Sequence, residues 1–299
     1  MDLEDMQTFL AVVRNGGITQ AAVNLHISQS TISYRVKSLE TELGLTLFER
    51  GPGQRSTMLT ASGEKLVQYA DRWTELARDI KTIRQKVPSF ELEIGCIDSL
   101  NQFILPPLYR QLIQQYPQSR VRIRTQQSLE AYRSIENREI DVAFTAWKLH
   151  REGILTEPVF HEKMYLICNK NSRLQGEKIH PRDLDKRYEL YLEWSDIFTL
   201  WHNTWFDPDI PPYLWIDNNA LVLNFLQEPQ FWTICSESVA TVLLQRSDLK
   251  KLNLAVQPPD RITYLLSHKT PSNNVLVNVT RFKTALRTFC NQISYGCYK

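Results

Sequence analysis

The stretch His26-Ile27-Ser28-Gln29-Ser30-Thr31-Ile32-Ser33-Tyr34-Arg35-Val36-Lys37-Ser38-Leu39-Glu40 decides how the first part of this chain folds. Ile32, Val36 and Leu39 recur at i, i+4 and i+7, which places them on one face of a helix. Ser30, Ser33, Tyr34 and Lys37 form a second stripe at i, i+3, i+4 and i+7, with Gln29 beside it. That stripe holds hydrogen-bonding groups of several kinds instead of the Glu and Lys of an ordinary solvated face. Ser28 is placed to cap the helix, with Ile27 and Ile32 at the two positions of a hydrophobic staple. The helix ends near Glu42-Leu43-Gly44.

Two shorter helices precede it. The first carries Met6, Phe9, Leu10 and Val13 on one face and closes at Asn15-Gly16-Gly17. The second is expected to start from Thr19 as N-cap and to run through Leu25, and small Ala21 and Ala22 let a neighbouring helix approach closely. Two short helices, a tight turn and a third helix with one apolar and one hydrogen-bonding face make a helix-turn-helix. In that arrangement the apolar face packs inward and the other face is free to enter a major groove. Gln29 suits bidentate pairing with adenine, Ser30, Ser33 and Tyr34 reach base edges or phosphates, and Arg35 and Lys37 serve the DNA backbone.

Leu47–Arg50, a turn at Gly51-Pro52-Gly53-Gln54 and Met58-Leu59-Thr60 read as a short two-stranded wing, with Arg50 and Arg55 placed for phosphates or the minor groove. A long helix follows to about residue 87. Leu66, Tyr69, Trp73, Leu76, Ile80, Ile83 and Val87 recur at alternating intervals of 3 and 4, the seam of a helix paired along its length. This reads as a dimerisation helix.

Pro88-Ser89 marks a boundary. Beyond it, strands at 91–96, 120–125 and 140–145 alternate with helices at 100–116, interrupted at Pro106-Pro107, and 129–137. That is β-α-β-α-β, an open parallel sheet. A second such set is expected from strands near 163–168, 190–194, 213–217 and 231–235 with helices near 197–206, 219–227 and 237–245. Strands near 252–256 and 262–267 and a helix at about 275–294 close the chain. Two α/β lobes joined by crossing strands imply a cleft between them, beyond the carboxyl ends of the strands.

The 299 residues suffice for two or three domains, and 42% hydrophobic with 23% charged residues is ordinary for a globular chain. Net charge is only +2, so contact with DNA must come from local placement of charge. No apolar run reaches a membrane span, and Met1-Asp2-Leu3-Glu4-Asp5 does not open a secretory signal. The odd, scattered cysteines at 96, 168, 235, 290 and 297 fit a reducing cytoplasm. His26, His150, His161, His180, His202 and His268 show no metal-ligand spacing, and no nucleophile elbow or P-loop occurs. The reading is therefore a non-enzyme without cofactor or metal.

Three blocks carry a resemblance that covers the whole chain: residues 21–33 (AAVNLHISQSTIS), 39–50 (LETELGLTLFER) and 59–64 (LTASGE). Looser landmarks are Glu93-Ile94-Gly95, Leu105-Pro106, Tyr116-Pro117 and Glu139–Ala143. The chain resembles the LysR-type transcriptional regulators. The resemblance implies an N-terminal winged helix-turn-helix, all-α with a short β wing, over residues 1–60. A linker and dimerisation helix over 61–88 follows, and then an α/β two-lobed domain over 89–299 like periplasmic binding proteins. Lobe I is expected at about 89–161 and 268–299, and lobe II at about 162–267. It further implies a cytoplasmic homodimer or homotetramer on double-stranded DNA, off the membrane, whose DNA bending responds to an effector in the cleft. Carried over by position, Gln29, Ser30, Ser33, Tyr34, Lys37, Arg50 and Arg55 become the DNA contacts. Many members have Pro in place of Ser30 and Arg in place of Tyr34.

The same resemblance places Ser99, Asn101, Ser128, Thr145, Trp194, Ser195 and Asn218 around the effector. Helix N-termini at Ser99 and near Asn218 favour a carboxylate, against which Asp98 works unless it caps a helix. Trp147, Trp194 and Trp232 suit an aromatic compound, or else are core. The alternative is a regulator of the same fold switched by oxidation of Cys96, Cys168 or Cys235 instead of by a ligand.

Overall fold

The structure is a computed structural model, and it describes residues 2–49, 58–82, 90–293 and 296–297. The chain divides into two compact units, Met1–Val87 and Pro88–Lys299.

The first unit begins with α1 (Leu3–Arg14), α2 (Ile18–Leu25) and α3 (Gln29–Leu43). A capping box opens α1: Asp2 Oδ1 accepts from the Asp5 amide and Asp5 Oδ2 from the Asp2 amide. Helix α2 starts one residue before the expected cap. Gly17 occupies the N-cap position without a side-chain bond, and the Thr19 hydroxyl faces Gln29 Oε1 at 3.5 Å instead. His26 ends α2 at φ 54, a left-handed conformation uncommon outside glycine. Ser28 caps α3 through its hydroxyl, which accepts from the Thr31 amide at 3.1 Å, and Gly44 closes the helix at φ 64. Phe9, Ala21, Ile32, Leu39 and Leu47 are fully buried where the three helices meet.

Helix α4 (Ala61–Thr82) starts where Thr60 Oγ1 accepts from the Gly63 amide. A Cβ on Gly63 would lie 2.2 Å from the Leu47 carbonyl oxygen, so only glycine lets α4 lie this close to the preceding strand. Phe48 and Leu59 pair antiparallel as the base of the wing, while residues 50–57, with Arg50 and Arg55, lie outside the described residues. Leu66, Val67 and Ala70 pack into the core of this unit. The expected seam therefore splits, with Leu66 belonging to the core. Tyr69, Trp73, Leu76 and Ile80 stand 65, 41, 59 and 58% exposed.

The second unit has two sheets. Strands β1 (Phe90–Cys96), β2 (Ser119–Thr125) and β3 (Val142–Thr145) alternate with α5 (Asp98–Phe103), α6 (Pro106–Gln115) and α7 (Ser128–Glu136). Pairs β1–β2 and β1–β3 are parallel, as the alternation implied. Strand β4 (Ile154–Glu162) runs out to the second lobe. That lobe holds β5 (Met164–Asn169), β6 (Lys178–Ile179), β7 (Leu190–Tyr191), α8 (Asp196–Trp205), β8 (Leu214–Trp215), α9 (Asn219–Phe225), β9 (Trp232–Ser236), α10 (Glu237–Leu243) and β10 (Leu249–Leu254). The chain returns through β11 (Arg261–His268) and ends with α11 (Asn273–Cys290) and β12 (Gly296–Cys297).

The first sheet has the order β12-β4-β11-β3-β1-β2. Phe90, Leu92, Ile94 and Cys96 alternate onto one face of β1, where they meet Leu108 and Leu112 of α6 and Phe282 and Leu286 of α11. Ala131, Tyr132 and Ile135 of α7 cover the other face. Two expectations change here. Strand β11, assigned from sequence to lobe II within 162–267, pairs antiparallel with β3 and β4 and so belongs to the lobe I sheet. Strand β4 itself was not anticipated, because Pro158 and the charged residues of its second half break any strand pattern. Pro158 sits at a register shift opposite Thr263/Tyr264, where a missing N–H costs the ladder nothing.

The second sheet, β6-β10-β5-β9, departs from the parallel set expected: β5 pairs antiparallel with both β9 and β10. Only β6–β10, β7–β8 and a bridge from Glu189 to Trp232 are parallel. The chain leaves lobe I along β4 and returns along β11, with Glu162 directly opposite Arg261. These two adjacent strands are the hinge between the lobes.

Candidate functional site

Two surfaces follow from this architecture, one in each unit. In the first, burying Ile32, Val36 and Leu39 turns the opposite stripe of α3 outward. Gln29, Ser30, Ser33, Tyr34 and Lys37 are all exposed, Tyr34 to 73%. Ser30 Oγ lies 2.7 Å from the capping Ser28 Oγ, so the first turn presents a fixed pair of hydroxyls. Arg35, expected on the DNA backbone, turns to α1, where it pairs with Glu4 at 2.5 Å and reaches Thr8 Oγ1 at 3.4 Å. Glu40 went unnoticed in the sequence. It is buried, and its Oε1 accepts from the amides of Leu47 at 2.8 Å and Phe48 at 3.4 Å, tying the end of α3 to the first strand of the wing. Its signal was an acid directly beside Leu39 on the apolar stripe.

The second surface is a cavity of about 340 Å³ between the lobes. Of the residues expected there, Ser99, Ser128 and Trp194 line it. The other four do not. Asn101 donates to Thr125 Oγ1 and accepts from the Tyr109 hydroxyl within lobe I. Thr145 is fully buried and accepts from the Trp147 amide. Ser195 caps α8 and Asn218 caps α9, each spending its side-chain oxygen on a helix amide. Trp232 is core, donating to the Asp185 carbonyl. Trp147, by contrast, lines the cavity.

The residue that sequence reasoning missed is Arg261. It is 4% exposed and faces Glu162, which is fully buried, at 3.6 Å. Its Nη2 donates to Ser99 Oγ at 2.7 Å, and its guanidinium lies over the Trp194 ring at 4.7 Å. Burial pushes the Arg261 pKa down, and the Glu162 carboxylate opposes that shift. Glu162 Oε1 accepts in turn from the Ser238 amide. Nothing local marked Arg261, because its partners come from separate elements. Asp98 settles its own ambiguity: Oδ2 accepts from both the Asn219 amide and Asn219 Nδ2, so it caps α9 across the cleft. The amides at that helix end, expected to favour an anion, are already engaged.

The thiols invoked by the redox alternative are inaccessible. Cys96, Cys168 and Cys235 are buried, and burial pushes all three thiols up, away from the reactive thiolate. Alkylation of the native protein is expected to leave these three unmodified, as read by peptide mass mapping. Fast modification of any of the three would restore the thiol reading. Among the described residues, no group of three or more His, Cys, Asp or Glu could hold a metal ion. None of the helices described is long and apolar enough to cross a membrane.

Comparison with known proteins bears on both surfaces. The family described as LysR substrate binding domain matches residues 85–287, and that described as bacterial regulatory helix-turn-helix protein, lysR family, matches residues 3–64. The HTH-type transcriptional regulator ClcR of Pseudomonas putida is 30% identical over 185 residues, 60% of this chain and 62% of ClcR, so the match spans about three fifths of that relative's length. The HTH-type transcriptional regulator HdfR of Yersinia pestis is 27% identical over 94% of this chain and 100% of HdfR. Full-length CbnR, solved in complex with its target DNA, superposes with a TM-score of 0.53 at 23% identity, covering 97% of this chain and 100% of CbnR.

Proposed function

This chain belongs to the LysR family of bacterial helix-turn-helix regulators, and from that premise we propose how it reads DNA and what switches it. It is a DNA-binding transcriptional regulator with an effector-binding domain. Gln29, Ser30, Ser33 and Tyr34 read the operator from the major groove, and Lys37, with Arg50 and Arg55 of the wing, holds phosphates or the minor groove. The protein acts as a homo-oligomer, paired through the exposed stripe of α4, so that two copies of α3 address two half-sites. A small molecule in the cleft between the lobes is the signal. Residues 1–60 serve as the reading domain, 61–88 as the linker helix and 89–299 as the sensor, with β11 counted in lobe I.

The observation that carries this reading is the division of α3: an apolar face spent on the core, and an opposite polar face, Gln29, Ser30, Ser33, Tyr34 and Lys37, that stands exposed among the described residues. Replacing Gln29 or Ser33 by Ala is expected to cost about 1–3 kcal/mol on the cognate site and little on random DNA. Fluorescence anisotropy with the two DNAs at one salt concentration measures it. Equal losses on both would show that these side chains do not read bases. Binding to either DNA should weaken steeply as salt rises, since each neutralised phosphate releases counterions.

A further inference from the structure

DNA phosphates are held by cations that are free to reach them, and the helices of the first unit supply few. Residues 2–49 carry three, Arg14, Arg35 and Lys37, against six acids. Arg14 is held by Asp71 at 2.9 Å and Arg35 by Glu4 at 2.5 Å. Of the three, Lys37 is left without an acidic partner among the described residues.

Arg35 follows Tyr34 on α3, at the flank between the outward stripe and the buried face. Its guanidinium folds back onto the start of α1 at two points. Nη2 donates to Glu4 Oε2, and Nη1 donates to Thr8 Oγ1 at 3.4 Å. Thr8 is itself fixed: it is 1% exposed, and its hydroxyl donates to the Glu4 carbonyl at 2.7 Å. The Arg35 side chain is 27% exposed and that of Glu4 66%, so the carboxylate is the outer member of the pair.

Stability does not account for this contact. The capping box of α1 is made by Asp2 and Asp5 without Glu4, and α1 and α3 are already joined through Phe9, Ile32 and Leu39. An ion pair this open to solvent adds little to a fold. Its effect on a polyanion is larger. A guanidinium neutralised by a carboxylate offers a phosphate no net charge, whereas a released one makes a further phosphate contact and displaces its counterion. We propose that Glu4 is a positioning residue for DNA binding: it keeps Arg35 off the phosphates and so holds down affinity for any duplex. Phosphate contacts carry no sequence information, so the stripe of Gln29, Ser30, Ser33 and Tyr34 is left to decide where the protein stays. This inference rests on the reading of α3 as the helix that faces DNA.

The test uses the full chain, with operator and random DNA compared by anisotropy over a series of salt concentrations. Glu4→Gln removes the charge and keeps the shape. It should bind both DNAs about fivefold to tenfold tighter at about 0.1 M salt, with the slope of log affinity against log salt steeper by about 0.9, as one added phosphate contact requires. A Glu4 that only braces the fold would give weaker or unchanged binding and the same slope, and either result overturns the proposal. Arg35→Met alone should shift affinity by less than about twofold, and in combination with Glu4→Gln it should abolish the gain. A gain that persists in the double variant comes from relieved repulsion and not from Arg35, which also overturns it. So does a loss of about fivefold or more on both DNAs from Arg35→Met alone, because Arg35 would then already hold a phosphate. Each of these outcomes leaves the DNA-reading helix standing. A parent protein that binds neither DNA at any salt concentration overturns both.

Discussion

Replacing Leu76 by Glu is expected to convert the protein to monomers and to lower its affinity for a two-fold operator by about two orders of magnitude or more. Leu76 stands 59% exposed in the middle of a stripe with Tyr69, Trp73 and Ile80, and none of the four belongs to the core that buries Leu66, Val67 and Ala70. A carboxylate there would have to be desolvated in a helix–helix seam, at a cost far above the loss of one leucine contact. The fold of the unit should survive, because the change touches none of its packing. Two recognition helices held together bind as one ligand with a high effective local concentration, and separating them forfeits that advantage without altering any base contact. Sedimentation gives the oligomeric state, and anisotropy on full and half operators gives the affinities. A variant that remains dimeric would move the interface elsewhere.

Replacing Arg261 by Met is expected to destabilise the second unit by about 3–5 kcal/mol, the loss typical when one member of a buried ion pair is removed. The methionine fills much of the arginine's volume, so cavity formation is not the main term. The cost lies in Glu162, fully buried, which would keep only the Ser238 amide as partner. The double replacement Arg261→Met with Glu162→Gln should recover most of the loss, since a neutral amide is far cheaper to bury than an unpaired charge. Urea unfolding of the single and double variants measures both numbers. If the double variant is no more stable than the single one, Glu162 is not what Arg261 stabilises. These two residues face each other on the strands that leave and re-enter lobe I.

The local features of this chain were legible in its sequence because each arises from neighbours on one helix or strand. The stripe Ile32, Val36, Leu39 buries itself whatever lies beyond it, and Ser28 caps α3 with atoms only three residues apart. The exposure of Gln29, Ser33 and Tyr34 follows from the same periodicity. The split in α4 was not legible, since a heptad seam does not reveal that the core of the unit claims Leu66 while leaving Tyr69 exposed. Strand β4 escaped because its pattern is broken by Pro158, which only the bulge opposite Thr263/Tyr264 makes tolerable.

The cleft shows the same division more sharply. The resemblance to the family implied all seven cleft residues alike, and Ser99, Ser128 and Trp194 line the cavity whereas Asn101, Thr145, Ser195 and Asn218 face elsewhere. The sequence by itself determined the helix-turn-helix, its exposed polar face, the long helix after it, the parallel core of lobe I and the family. Only the tertiary structure decided that β11 returns to lobe I, that Asp98 caps α9 across the cleft, and that Arg261 and Glu162 form a buried pair at the hinge. Periodicity encodes which face of an element is apolar. It carries nothing about which distant polar groups will be desolvated together, and the partners of a buried charge are chosen only when the strands that bear them meet.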